Sequence, residues 1–171
     1  MRIQKTTTTV RLALLFAAAM TLSWLEGLLP AFVPVPGIKP GLSNIVTMYA
    51  LFFVGTPSAL VLAVLKGMFA ALTRGLTAGM LSLSGGILSV IVMALCRKMG
   101  ATPVFCSALG GVFHNVGQLV IACVLLSTPF LWYYLPVLVL SGLVMGLITG
   151  AVLHLTMSAL DKTVPDREKM K

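Results

Sequence analysis

The sequence predicts an all-α integral membrane protein with about six transmembrane helices, and three observations carry that reading. Of 171 residues, 58% are hydrophobic and 9% charged, where a soluble domain carries about a quarter charged residues. The mean hydropathy is +1.05, so polar side chains are too few to cover a water-facing surface and lipid must solvate most of the chain. The charges that do occur are segregated. Nine of the twelve Lys and Arg (Arg2, Lys5, Arg11, Arg97, Lys98, Lys162, Arg167, Lys169 and Lys171) flank apolar segments, as the positive-inside rule requires of cytoplasmic ends and loops.

The length fits a single transmembrane domain: a cytoplasmic N-terminus over residues 1–9, a helical bundle over 10–160, and a basic cytoplasmic tail over 161–171. The net charge of +8 is dispersed over those ends, not clustered on a folded face, which argues against nucleic acid as a partner. Cys96, Cys106 and Cys123 form no CxxC pair and read as small apolar residues of helices. The basic start and apolar run also fit a signal peptide. No Ala-x-Ala-like site follows, however, so the run reads as a retained first helix.

Helix 1 is expected at about Val10–Leu29. The next stretch, Pro30 to Gly41, carries Pro30, Pro34, Pro36 and Pro40 and must be a loop, since each Pro removes an amide donor and restrains its predecessor. Helix 2, about Ser43–Val54, is short against the roughly 20 residues a spanning helix needs. The turn Gly55-Thr56-Pro57-Ser58 offers hydroxyl caps to helix 3, about Ser58–Thr73. Helix 4 is expected at about Leu81–Lys98, helix 5 at Pro103–Ser127 and helix 6 at Trp132–Leu160. Six spans put both termini and the Arg97-Lys98 loop on the cytoplasmic side. They put the uncharged, Trp- and Tyr-rich segment from Ser127 to Pro136 outside, at the interface such residues favour.

Gly142-x3-Gly146-x3-Gly150 makes a groove for close helix approach, serving either packing within the chain or docking of another membrane subunit. Gly67-x3-Ala71-x3-Gly75 and Ala13-x3-Ala17 are weaker versions.

The charges inside apolar segments are the strongest functional signal, because a charge in hydrocarbon costs about 2.5–3.5 kcal/mol on insertion scales. Lys66 falls in the middle of helix 3 and Arg74 at its end, eight residues on, which at about 100° per residue share one quadrant of the helix. Lys39 lies in the Pro/Gly loop, and Glu26 is the one acidic residue before the tail. On helix 5, His114 and Gln118 are i, i+4 neighbours with Asn115 beside them. A cavity holding these cations with one carboxylate favours an anionic ligand. A structural Lys66–Glu26 pair and helix–helix hydrogen bonding through His114 and Gln118 are the alternatives. Gly85-Gly86 and Gly110-Gly111 are expected to break helices 4 and 5 beside the polar groups, since double glycines cost helix stability and irregular backbone in a membrane needs a covered or watery site.

Sequence signatures of catalysis are missing. There is no P-loop, HExxH, GxSxG or acidic pair for Mg²⁺-dependent diphosphate chemistry, so neither an enzyme nor a metal or other cofactor is expected.

The run Pro36-Gly-Ile-Lys-Pro-Gly-Leu-Ser-Asn44-Ile-Val-Thr47, Lys66 with Arg74, Ser84-Gly85-Gly86-x2-Ser89, and Gly110-Gly111-x2-His114-Asn115-x2-Gln118 resemble the bacterial family of Gx transporters, also labelled heptaprenyl diphosphate synthase component I, over about residues 10–155. That family is in turn similar to the substrate-binding S components of energy-coupling factor (ECF) transporters. The resemblance implies six helices, a first loop that lids an outward pocket, and Asn44 and Ser84 beside Lys39, Lys66, Arg74, His114, Asn115 and Gln118 as substrate-binding residues. It also implies that Ala13 and Ala17 meet a membrane coupling subunit, with ATPase subunits supplying the energy. The expected function is thus a substrate-binding transporter subunit of the bacterial inner membrane for a small anionic solute. The alternatives are a non-transporting partner of a prenyl diphosphate synthase or quinone-linked machinery, and an autonomous small channel or facilitator.

Overall fold

The computed structural model describes residues 2–28 and 42–163, with side-chain surroundings for 9–26 and 43–156. Lys39, with most of the Pro/Gly loop, lies outside the described residues, as does the tail from 164 on. The elements are α1 (Arg2–Leu28), α2 (Leu42–Phe53), α3 (Thr56–Arg74), α4 (Leu76–Lys98), α5 (Pro103–Leu126), a 3-10 segment (Pro129–Tyr134) and α6 (Leu135–Thr163), with no strand among the described residues. The protein is therefore an all-α membrane protein of six helices. Five are long and apolar enough to cross a bilayer, and α2, with 12 residues, is not.

α2 is about 18 Å long at 1.5 Å per residue, against a hydrocarbon core of about 30 Å. Val46, Met48, Ala50 and Leu51 are all buried, packed among α1, α3, α4 and α6. A helix apolar all round belongs in an interior, and this one is held at both ends by charges of the macrodipole-complementary sign. At its start, the Glu26 carboxylate of α1 accepts from the Ser43 amide at 3.1 Å and from the Ser43 hydroxyl at 3.4 Å. At its finish, Arg97 of α4 donates to the Leu51 carbonyl and lies over the Phe52 ring, 5.3 Å from its centroid.

The junctions differ from the hydroxyl-capped turns expected. α3 begins at Thr56 with Gly55 as N-cap at φ 125° and no side-chain cap. Backbone there runs through a region open chiefly to glycine. Gly75 alone, at φ 93°, separates α3 from α4, so α4 starts five residues earlier than the expected Leu81. α5 follows its signal: Thr102 Oγ1 accepts from the Phe105 amide at 3.3 Å, and Pro103 sits in the first turn.

The double glycines do not break their helices, because both lie inside continuous α-helix. At Gly85, Gly110 and Gly111 neighbours occupy the space a side chain would need. A Cβ on Gly111 would fall 2.2 Å from the Gly142 carbonyl oxygen, and one on Gly85 would fall 2.6 Å from that of His114. Gly142, Gly146 and Gly150 face Gly111, Ser107 with Ala108, and Val104 of α5 respectively. Packing within the chain therefore occupies that repeat, and it is not a face for another subunit. With lipid giving no hydrophobic drive between helices, such close approach supplies the dispersion contact that holds the bundle. The three cysteines are free.

Candidate functional site

Because α2 is short, its first turn stays inside the bundle, and a cavity of about 390 Å³ opens beside it. Side chains of all six helices line the space. The sequence singled out Asn44, Lys66, Arg74, His114, Asn115 and Gln118, and the fold brings all six to this cavity. The eight-residue spacing of Lys66 and Arg74 puts both on the face of α3 that looks into it.

Lys66 is buried, 8% exposed. Its Nζ donates to Asn44 Oδ1 at 2.8 Å, while Glu26 is engaged by Ser43. The direct Lys66–Glu26 pair is therefore not formed. An ammonium has three donors, so Lys66 keeps two beyond the Asn44 bond. Arg74 is exposed at the mouth, without an ion-pair or hydrogen-bond partner among the described residues. The lining thus carries two cations and one carboxylate.

On α5, Gln118 Nε2 lies 3.1 Å from His114 Nε2. His114 Nδ1, on the other side of the ring, is buried without a hydrogen-bond partner among the described residues. The ring abuts Gly85 of α4. Asn115 Nδ2 donates to the Leu138 carbonyl at 2.8 Å and to Ser141 Oγ at 3.2 Å, which anchors α5 to α6. His114 and Gln118 thus bond to each other along α5, while Asn115 alone of the three bonds to another helix, and all three line the cavity. Asn115 Oδ1 and Gln118 Oε1 keep their acceptor capacity.

Ser84 departs from expectation. Its hydroxyl donates to the Leu81 and Gly117 carbonyls, each at 3.1 Å. That places it in the α4–α5 contact and not among the lining residues. Ala13 and Ala17 sit on an exposed face of α1, away from the cavity. Hydroxyls that reasoning from residue type passed over also line it: Ser23, Thr77, Ser82, Ser89, Ser107 and Thr149. Serine and threonine are too common in membrane helices to stand out singly, and only their convergence marks them. Among the described residues no cluster of His, Cys, Asp and Glu could hold a metal ion.

Fold and cavity together define a multi-pass α-helical membrane protein with a chamber in its bundle whose largely apolar wall carries a few charged and amide side chains. The chain belongs to the family described as heptaprenyl diphosphate synthase component I, whose model matches residues 15–156. No curated protein and no solved structure matches it.

Proposed function

We propose that the protein is the substrate-binding membrane subunit of an ECF-like transporter, taking a small anionic solute into the cavity. The observation that carries this reading is the charge of the lining: Lys66 and Arg74 against a single carboxylate that α2 already occupies. Two cations in low dielectric are expensive without an anion, and a bound anion supplies it. Lys66, Arg74 and, from the lid loop, Lys39 present the charge. Asn44, His114, Asn115 and Gln118 supply directional hydrogen bonds.

The protein itself is read as no enzyme. Without a P-loop it hydrolyses no ATP, so pumping requires ATPase partners, and the small-residue face of Ala13 and Ala17 on α1 suits a membrane coupling subunit. The Arg97-Lys98 end of the bundle and both termini are placed in the cytoplasm of a bacterial cell, with the Arg74 mouth facing out.

A second reading rests on the family description: a non-transporting membrane partner of a prenyl diphosphate synthase. Native mass spectrometry of the protein drawn from its own membrane separates the two. A retained small acid supports the transporter subunit. A co-purifying synthase with an empty chamber overturns it.

A further inference from the structure

Glu26, Lys66 and Arg74 line one cavity, yet no ion pair joins the carboxylate to either cation among the described residues. Ionisable side chains inside membrane helices ordinarily pair with one another, because opposite charges attract strongly in a low-dielectric interior. Lysine, with its flexible four-carbon stem, is well able to swing toward a nearby carboxylate. The first turn of α2 keeps the two apart. Ser43 engages the Glu26 carboxylate, and Asn44, the next residue, engages the Lys66 ammonium. Each charge is therefore bonded to neutral groups alone, and the two flank adjacent residues of one turn.

Both keep capacity for a further partner. A carboxylate offers about four acceptor positions, of which Ser43 takes two. An ammonium has three donors, of which Asn44 takes one. Glu26 and Lys66 are 5% and 8% exposed, so little surface of either meets bulk solvent, and the group placed to complete both is a ligand in the cavity.

The third charge stands farther off. Arg74 lies eight residues beyond Lys66 on α3, about 12 Å along the helix axis, and is exposed at the mouth. Met48, Leu81, Met93 and Met145 supply apolar lining, and methionine adapts its shape to a flexible chain. The volume, about 390 Å³, is at the small end of the roughly 300–1,000 Å³ typical of small-molecule sites.

Resting on the reading of this cavity as an anion-binding site, we infer that its ligand is an amino diacid: one acid group and an ammonium on neighbouring atoms meet Lys66 and Glu26, and a second acid group meets Arg74. A short apolar chain joins the two ends. Two negative charges and one positive pair every charge of the lining. A simple monoacid balances the net charge but leaves Glu26 and one cation without a charged partner. A diacid lacking the ammonium brings its inner acid group up against Glu26.

Four probes on one six-carbon skeleton test this by calorimetric titration of the purified full chain in lipid nanodiscs at neutral pH. They are 2-aminoadipate, adipate, norleucine and hexanoate, which vary the ammonium and the second acid group independently. 2-Aminoadipate should bind best, and adipate and norleucine each about tenfold or more weaker, the effect of one charge-assisted contact. Glu26→Gln, checked by thermal unfolding, should weaken 2-aminoadipate about tenfold and tighten adipate, so that the gap between them closes. Arg74→Gln should weaken 2-aminoadipate about tenfold. If adipate matches or exceeds 2-aminoadipate on the unsubstituted chain and is weakened by Arg74→Gln, the ammonium inference fails and the anion site stands. If norleucine matches 2-aminoadipate, the second acid group fails. If none of the four binds, or Lys66→Met and Arg74→Gln alter no affinity, the inference and the anion site fail together.

Discussion

Lys66 of α3 and Asn44 of α2 meet at 2.8 Å, ammonium to side-chain carbonyl, and this bond decides how the buried cation is used. A lysine locked to Glu26 would be a structural strut with its charge cancelled. Bonded to a neutral amide, it keeps its full charge and two donors at the cavity wall, while Glu26 serves α2 instead. The bond also positions the first turn of α2, whose free amides and positive dipole end add to the field of the chamber.

Lys66→Met is therefore expected to weaken binding of an acid probe about tenfold to a hundredfold, the worth of one charge-assisted hydrogen bond of about 1.5–3 kcal/mol. Stability should be unchanged or higher, since a desolvated charge is removed. Titration and thermal unfolding of the same variant check both halves. A less stable variant with unaltered affinity would sink the role of Lys66 as a ligand-binding cation.

Glu26 separates capping from charge. Glu26→Leu removes both acceptors of Ser43 and should destabilise the bundle by about 1–2 kcal/mol, as loss of a helix cap does. Glu26→Gln keeps one acceptor for the Ser43 amide and should lose less. It also removes the one carboxylate of the lining, so an acid probe without an amine should bind more tightly, by about threefold or more. Weaker binding of that probe by a well-folded Glu26→Gln variant would mean that Glu26 itself contacts the acid group.

How far the residues declared this site depends on how much each stands out from an apolar background. Lys66, Arg74, His114, Asn115 and Gln118 were legible because charge and amides are costly in lipid, and all of them reach the cavity. The six helices were legible from apolar runs and charge flanks. Ser89, Ser107 and Thr149 were not, because a hydroxyl in a membrane helix usually satisfies itself on its own backbone. Only the fold brings these three to the cavity. The capping of α2 by Glu26 pairs residues 17 apart across the Pro/Gly loop, and no local pattern encodes it. Gly85-Gly86 and Gly110-Gly111 misled for a physical reason. The helix penalty of glycine is measured in exposed peptides, at about 1 kcal/mol, and close packing of backbone on backbone offsets it here. Gly75 hid in the small-residue spacing of Gly67 and Ala71, although it ends the helix.

The glycines give a direct test of packing against flexibility. Gly111→Ala would drive its methyl to 2.2 Å from the Gly142 oxygen, backbone against backbone with nothing flexible to move. It should cost about 1–3 kcal/mol or more and lower the unfolding midpoint by about 3–10 °C. At Gly86 the nearest atom is Ala63 Cβ at 3.3 Å, and the gain in helix propensity offsets the squeeze, so Gly86→Ala should be nearly neutral. Were the pairs hinges, both substitutions would stiffen the helices alike. Equal effects of the two on thermal unfolding would overturn packing as the reason for the glycines.

The proposed orientation can be read from either end of the bundle. Met99, 85% exposed, follows the Arg97-Lys98 end of α4, and Tyr133, 81% exposed, lies in the aromatic 3-10 segment at the opposite end. On a background with Cys96, Cys106 and Cys123 replaced by alanine, Met99→Cys should resist a membrane-impermeant maleimide added to intact cells and react only after permeabilisation. Tyr133→Cys should react from outside at once. Placing Arg97 and Lys98 on the cytoplasmic face follows from the bias that sets topology in membrane insertion, and Arg97 is additionally tied to the end of α2. The two ends of the short helix would exchange sides if the orientation were reversed, and the cavity mouth at Arg74 would then open to the cytoplasm. Prompt external labelling at 99 with protection at 133 would overturn the orientation, and with it uptake from outside as the direction of binding.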